Sequence, residues 1–178
     1  MVSVMENINY THIISADNGI SSNGIALFSP DDSVKYEKLP IKRELSYTKN
    51  ESHITRVDVP KLRQLLANWN LPKTTLVAME KPFTNARRFR STMSAMRCLE
   101  AELIVIEEFD FYLRYVISSE WQSVLLPGAN GTDELKAASL ALGKKLFPQF
   151  KLVKDADSLL IGYWLKYKDG QSINKKQL

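Results

Sequence analysis

The sequence predicts an α/β domain on a mixed five-stranded sheet, with its first three strands antiparallel and helices on the flanks. Three short β-rich runs open the chain: THIISA (11–16), GIALF (24–28) and VKYEKL (34–39), parted by turn signals. The most apolar strand candidate, TLVAME (75–80), lies between two segments of helical period, an order that yields parallel pairing. A length of 178 residues with 44% hydrophobic content gives one domain with a substantial core.

The elements follow in order. Residues 1–10 read as a loose leader. The first run stops at Asp17-Asn18-Gly19, and the second ends at Ser29-Pro30-Asp31-Asp32. The third alternates apolar and polar residues, as a half-exposed strand does. Residues 41–56 are polar without a clear period, which predicts a loop or a frayed edge. Asp58–Trp69 is helical: Asp58 is a cap, Pro60 is tolerated in the first turn, and Leu62, Leu65, Leu66 and Trp69 repeat at helix spacing. Pro82 terminates the 75–80 strand.

Residues 85–106 predict a long helix carrying Phe89, Met93, Met96, Leu99, Leu103 and Ile106. Tyr112–Ile117 predicts another strand, and Ser118–Trp121 the start of a loop. Leu126–Asp133 is loop, with Thr132 or Asp133 capping a helix from about Glu134 to Leu146. Residues 151–153 suit a short strand or turn. Asp155–Tyr167 is the last helix, and 168–178 a polar tail. The domain division is therefore leader 1–10, domain 11–167 and tail 168–178.

Composition removes several function classes. One cysteine excludes an internal disulfide and a cysteine-based zinc finger, and two histidines leave a His-rich metal site without ligands. A metal here needs carboxylate ligands, which favour Mg²⁺ or Mn²⁺. The opening MVSVMENINY lacks a signal-peptide pattern, and no apolar stretch spans a membrane. The expected location is cytoplasmic, in the host cytoplasm if the protein is viral. A net charge of +4 is compatible with a nucleic-acid partner. The positive charge clusters: Lys81, Arg87, Arg88, Arg90 and Arg97 share a stretch with no acid, and Glu100, Glu102, Glu107, Glu108 and Asp110 follow it.

The acids at element ends carry the functional reading. Asp17 directly follows the apolar IISA, and Glu80 ends TLVAM; adjacent buried strands would bring the two together. Paired carboxylates repel unless a cation lies between them. Asp155 and Asp157 open the last helix. Each also has a structural role open to it: Asp17 as a turn residue beside Gly19, Glu80 as a solvated strand end, and the two aspartates at a helix start that favours acids. Together, with the basic stretch straight after Glu80, they point to a carboxylate-held Mg²⁺ site of the phosphodiester-cleaving kind.

Asp17-Asn18-Gly19 followed by Gly24, Val-Ala-Met-Glu80 followed by Phe83, and Asp-Ala-Asp157-Ser-Leu-Leu-Ile-Gly resemble the RuvC-type Holliday junction resolvases, in particular divergent bacteriophage members. The resemblance spans about residues 11–166. It implies a ribonuclease-H-like fold, a homodimer, and two Mg²⁺ per active site, with Mn²⁺ as substitute. It assigns Asp17, Glu80 and Asp157 as metal ligands. The family's remaining acid falls three residues before Asp157, where this chain has Lys154; Asp155, two before, takes that role if it sits at the non-helical cap. Lys136 matches a lysine that approaches the scissile phosphate, and Ser139 adds a hydroxyl one turn on. A solvated lysine and a helix-interior serine are the alternatives. Phe83 matches an aromatic that stacks on bases; packing beside Pro82 is its other reading. Arg87, Arg88 and Arg90 suit phosphates. Trp121 reads as core.

The function implied is a Mg²⁺-dependent endonuclease that nicks four-way DNA junctions symmetrically and leaves 5′-phosphate ends, with the 89–106 face as the dimer surface. The alternatives are a nuclease of the same fold acting on flaps, branched DNA or RNA, and a nucleic-acid-binding module of that fold with weak catalysis. A two-domain phosphate-loop kinase needs a longer chain.

Overall fold

Side-chain alternation along the first strand divides the molecule into layers. In β1 (His12–Ala16), Ile13 and Ser15 face one side of the sheet, Ile14 and Ala16 the other. The computed structural model describes residues 10–19, 24–47, 49, 52–82 and 84–168. Pairing with β1 are β2 (Gly24–Phe28), antiparallel, and β6 (Thr75–Glu80), parallel. The edges are β3 (Val34–Lys38) and β7 (Tyr112–Val116), giving the five-stranded order β3-β2-β1-β6-β7. The predicted mixed sheet, antiparallel over its first three strands, is the observed one.

Helices α1 (Val59–Trp69) and α2 (Phe89–Glu108) cover the Ile14 face, burying Leu62, Leu66, Cys98, Val105 and Ile106 against Val77 and Met79. Asp58 caps α1, its carboxylate accepting from the Lys61 amide at 3.4 Å, and Asn70 ends it in a left-handed conformation. The Ile13 face is covered by α3 (Ser118–Leu125), α4 (Gly131–Leu146) and α5 (Asp157–Tyr167). The run Ser158–Gly162 is buried without interruption, because α5 lies between the sheet and its neighbouring helices. Ser15 Oγ donates to the Ser158 carbonyl at 2.6 Å and ties β1 to the first turn of α5. Glu102 of α2 is 2% exposed. Cys98 Sγ contacts its Oε1 at 3.4 Å, Oε2 has no partner, and burial raises this carboxyl to about 8.

Several expectations need correction. The stretch 41–56 is a two-stranded antiparallel ribbon, β4 (Ile41–Leu45) with β5 (His53–Val57), in register Ile41↔Val57 to Leu45↔His53. The abundance of charge hid its alternation. Buried Val57 anchors its base and buried Ile54 its turn end. Ser118–Trp121 opens α3 rather than a loop: Glu120 accepts from the Ile117 amide at 2.7 Å, closing the first turn, and Trp121 is fully buried. The α4 helix begins at Gly131, before Thr132 and Asp133, because Glu134 reaches back to the Asn130 amide at 3.0 Å. The long helix starts at Phe89 after a 3-10 turn at Ala86–Arg88, in which Asn85 accepts from the Arg87 amide. Residues 151–153 form no regular element, and α5 starts at Asp157, not Asp155. Residues 1–9 of the expected leader and 169–178 of the expected tail lie outside the described residues. Among the described residues no helix is long and apolar enough to cross a membrane.

A Cβ on Gly162 would overlap the Phe28 ring and the Ser15 hydroxyl, which sit at the tightest approach of α5 to the sheet. Gly162→Ala is expected to cost about 1–3 kcal/mol, read from denaturant melts. A neutral result would mean that α5 is free to lift from the sheet.

Candidate active site

Strand parity and register assemble the acids. Asp17 continues the Ile13–Ser15 side of β1, and Glu80 continues the Ala78 side of β6, so both leave the sheet on the α5 face. Ala16 pairs with Met79, and one further step in that parallel register sets Asp17 beside Glu80. Asp157, at the first position of α5, and Asp155, in the non-helical segment before it, arrive from the opposite layer. Asp17, Asp155 and Asp157 each present a carboxylate oxygen, all within 4.8 Å of one another. Glu80 adjoins them, in hydrogen-bond reach of Asp17.

Two residues along a regular helix would turn Asp155 and Asp157 about 200° apart. Ala156 has φ −134° and ψ 22°, so the chain is not helical there and both carboxylates reach the cluster. Asp155 is buried, whereas Lys154 beside it is exposed.

The cluster is electrostatically unsatisfied. Burial raises the Asp17 carboxyl well above its ordinary range, and Glu80, Asp157 and Asp155 add to the rise. Burial also raises Glu80, against hydrogen bonds from Ser118 and Trp121. Asp157 is pushed up to about 7 by burial, with the Ser139 hydrogen bond opposing and Lys136 nearby lowering it slightly. Carboxyls that hold protons this tightly have the donor set of a hard divalent cation and lack its charge.

Several side chains hold the acids in place. Ser139 of α4 is 1% exposed; its hydroxyl donates to Asp157 Oδ1 and accepts from the Ala156 amide at 3.0 Å. It therefore engages the aspartate within the fold rather than solvent. Lys136, one turn earlier on α4, is exposed beside Asp157. Trp121 Nε1 donates to Glu80 Oε1 at 3.4 Å, so this core residue also orients a site acid. Asn18 donates to the Glu80 carbonyl and links the ends of β1 and β6. Tyr36 of β3 lies near Asp155 and Asp17. Its ring also occupies the space a Cβ on Gly24 would take, which accounts for the glycine seven residues after Asp17. Trp121, Ser118, Asn18 and Tyr36 were missed as site residues, since their partners are distant in sequence.

Arg87 and Arg88 are exposed in the 3-10 turn, and Arg90 is exposed at the start of α2, just beyond the end of β6. Arg97 is half-buried farther along α2. Phe83 lies outside the described residues.

In the cation-free protein the native state binds more protons than the unfolded chain between roughly pH 4 and 7. This contribution to stability is present at low pH and is lost as pH rises through the raised pKa values. Mg²⁺ is expected to leave Tm nearly unchanged near pH 5 and to raise it near pH 8. Asp17→Asn should raise the EDTA Tm at about pH 8 and remove the Mg²⁺ increment. An increment that is equal at both pH values would place the cation away from these acids.

Neither a family model nor a curated protein sequence matches the chain. Its fold is similar to that of T. thermophilus RuvC solved in complex with a Holliday junction substrate, with a TM-score of 0.52 and 11% identity over 86% of this chain and 90% of that one. A second Thermus thermophilus RuvC structure aligns at TM-score 0.49 and 13% identity, over 85% and 90%. The chain thus has the ribonuclease-H-like fold of RuvC, with its carboxylates gathered where the first and fourth strands of the main sheet end.

Proposed function

We propose that the domain at 11–167 is a divalent-cation-dependent endonuclease acting on branched DNA, with four-way junctions as its substrate. The observation that carries this reading is the convergence of Asp17, Asp155 and Asp157, with Glu80 beside them, on a ribonuclease-H-like sheet. Oxygen-only donors suit Mg²⁺ or Mn²⁺. Asp17, Asp155 and Asp157 would hold the cation, with Glu80 as the ligand for a second. A cation bound there supplies Lewis-acid stabilisation and eases deprotonation of the attacking water.

The chain's own groups do the rest. Ser139 and Trp121 fix the orientation of Asp157 and Glu80 before substrate arrives. Lys136 sits beside Asp157, where a cationic group neutralises charge developing on a phosphate. Arg87, Arg88 and Arg90 offer exposed positive charge just beyond the end of β6, suited to phosphates, and the resemblance assigns base stacking to Phe83. Phe89, Met93 and Met96 form an exposed apolar stripe at helical spacing on α2, and a second copy of the chain is its proposed occupant. That RuvC was solved with a Holliday junction favours the junction over flaps or RNA.

The test compares a labelled immobile four-way junction with a flap, a linear duplex and an RNA–DNA hybrid, in Mg²⁺ and in EDTA. Paired symmetric nicks with 5′-phosphate ends, confined to the junction and dependent on cation, are the expected result. Asp17→Asn and Glu80→Gln should each lower the rate by about 10²-fold or more while binding persists. Binding without cleavage by the unmodified protein, in Mg²⁺ and Mn²⁺ alike, would make it a binding module. Preferential cleavage of flap or hybrid would move it to another nuclease class.

A further inference from the structure

The β4–β5 ribbon stands apart from the main sheet, and only one of its two faces carries an acid among the paired residues. On one face Glu44 bonds Lys42 at 2.5 Å and Arg56 at 3.0 Å, with buried Ile54 opposite Glu44 turning this side toward the body. Its one acid is shared between two bases, so this face keeps a single net positive charge. The other face carries Ile41, Arg43 and Leu45 on β4 opposite Val57, Thr55 and His53 on β5; Val57 packs into the core at its base, and the face opens toward Leu45. It has no acid, and Leu45 is 77% exposed. Lys49, beyond the end of β4, is exposed as well.

The ribbon is also aimed. Beyond Leu45, Tyr47 is 65% exposed and meets α2: Arg97 donates to its hydroxyl at 3.0 Å, and the guanidinium lies 5.8 Å from its ring centroid. Arg97 belongs to the acid-free basic stretch and lies eight residues, about 12 Å, along α2 from Phe89. The Arg97 contact therefore joins the basic entrance of α2 to the outward face of the ribbon. A two-stranded ribbon fits the major groove of duplex DNA. Arg43 among apolar neighbours, with exposed Tyr47 beyond them and no acid on that face, has the composition of such a reader.

The geometry points to the β4–β5 ribbon as a second nucleic-acid contact, which places Arg43 and Lys49 on the phosphates of a duplex arm leaving the branch and Tyr47 at the groove. This inference rests on the nuclease reading and extends it from the cleavage site to an arm. Charge complementarity selects the occupant: four basic residues and two acids lie in 41–57, and the described acid faces inward.

The test is anisotropy titration of a labelled four-way junction at several salt concentrations, with the full chain, the Arg43→Ala/Lys49→Ala variant and a charge-matched Lys35→Ala/Lys151→Ala control. The ribbon variant is expected to bind about 5–10-fold more weakly, with a salt slope shallower by up to about 2. Its thermal melt and Mg²⁺-dependent Tm increment should match those of the unmodified chain, because neither residue touches the acids. Unchanged affinity and slope in the ribbon variant, with the unmodified chain binding, would overturn the ribbon assignment and leave the nuclease reading standing. Equal weakening in the control would overturn it as well. An unmodified chain that binds no DNA would remove both.

Discussion

The site depends on a contact between like charges that the sheet imposes. Two buried parallel strands lie about 4.8 Å apart, and their register delivers Asp17 and Glu80 to the same face at the same height. Two more carboxylates come down onto that pair, Asp157 from the first turn of α5 and Asp155 from the segment before it. Solvent alone would drive four such groups apart. They stay together because each side of the sheet is closed by a packed apolar layer: Ile14, Val77 and Met79 below, Phe28, Leu159 and Ile161 above. The hydrophobic core thus bears an electrostatic load, and tightly held protons are the sign of it.

The supporting bonds show how that load is distributed. Ser139 holds Asp157 and the backbone just before it, so a single hydroxyl fixes both the acid and the irregular turn that admits Asp155. Trp121 and Ser118 steady Glu80 from α3, and Asn18 joins the ends of the two central strands. None of these groups is cationic. The positive charge beside the acids is Lys136, exposed next to Asp157, and Arg87, Arg88 and Arg90 are exposed just past β6 in the chain.

Much of this was readable from the chain, for reasons that differ by element. β1, β2 and β6 stand out because a strand buried on both faces is an unbroken apolar run, and an acid straight after one is conspicuous. α1 is announced by Asp58 and Pro60. The ribbon was not legible: its alternation is one of charged against mixed residues, and its only buried residues, Ile54 and Val57, fall on opposite faces. α3 was missed because eight residues carry too little period, and its identity rests on the tertiary burial of Trp121. The acids could be named one by one, but not the local backbone that lets Asp155 and Asp157 converge, which is fixed by a hydroxyl 17 residues away. Glu102 showed no sign of its fate either; burial within α2 is a property of packing, not of its neighbours in sequence.

The parity of β1 and β6 gives the chain an uneven tolerance to change in length. Losing or adding one residue inside either strand would swing its terminal acid through the sheet into the layer of α1 and α2, emptying the site without altering a single side chain. The segment between β3 and α1 carries no such constraint. It rejoins the body where the Asp58 amide bonds the Pro40 carbonyl at 2.8 Å, so the chain leaves and returns at nearly one point. The intervening ribbon can therefore change in length without shifting the acids, provided that Val57 keeps its place in the core.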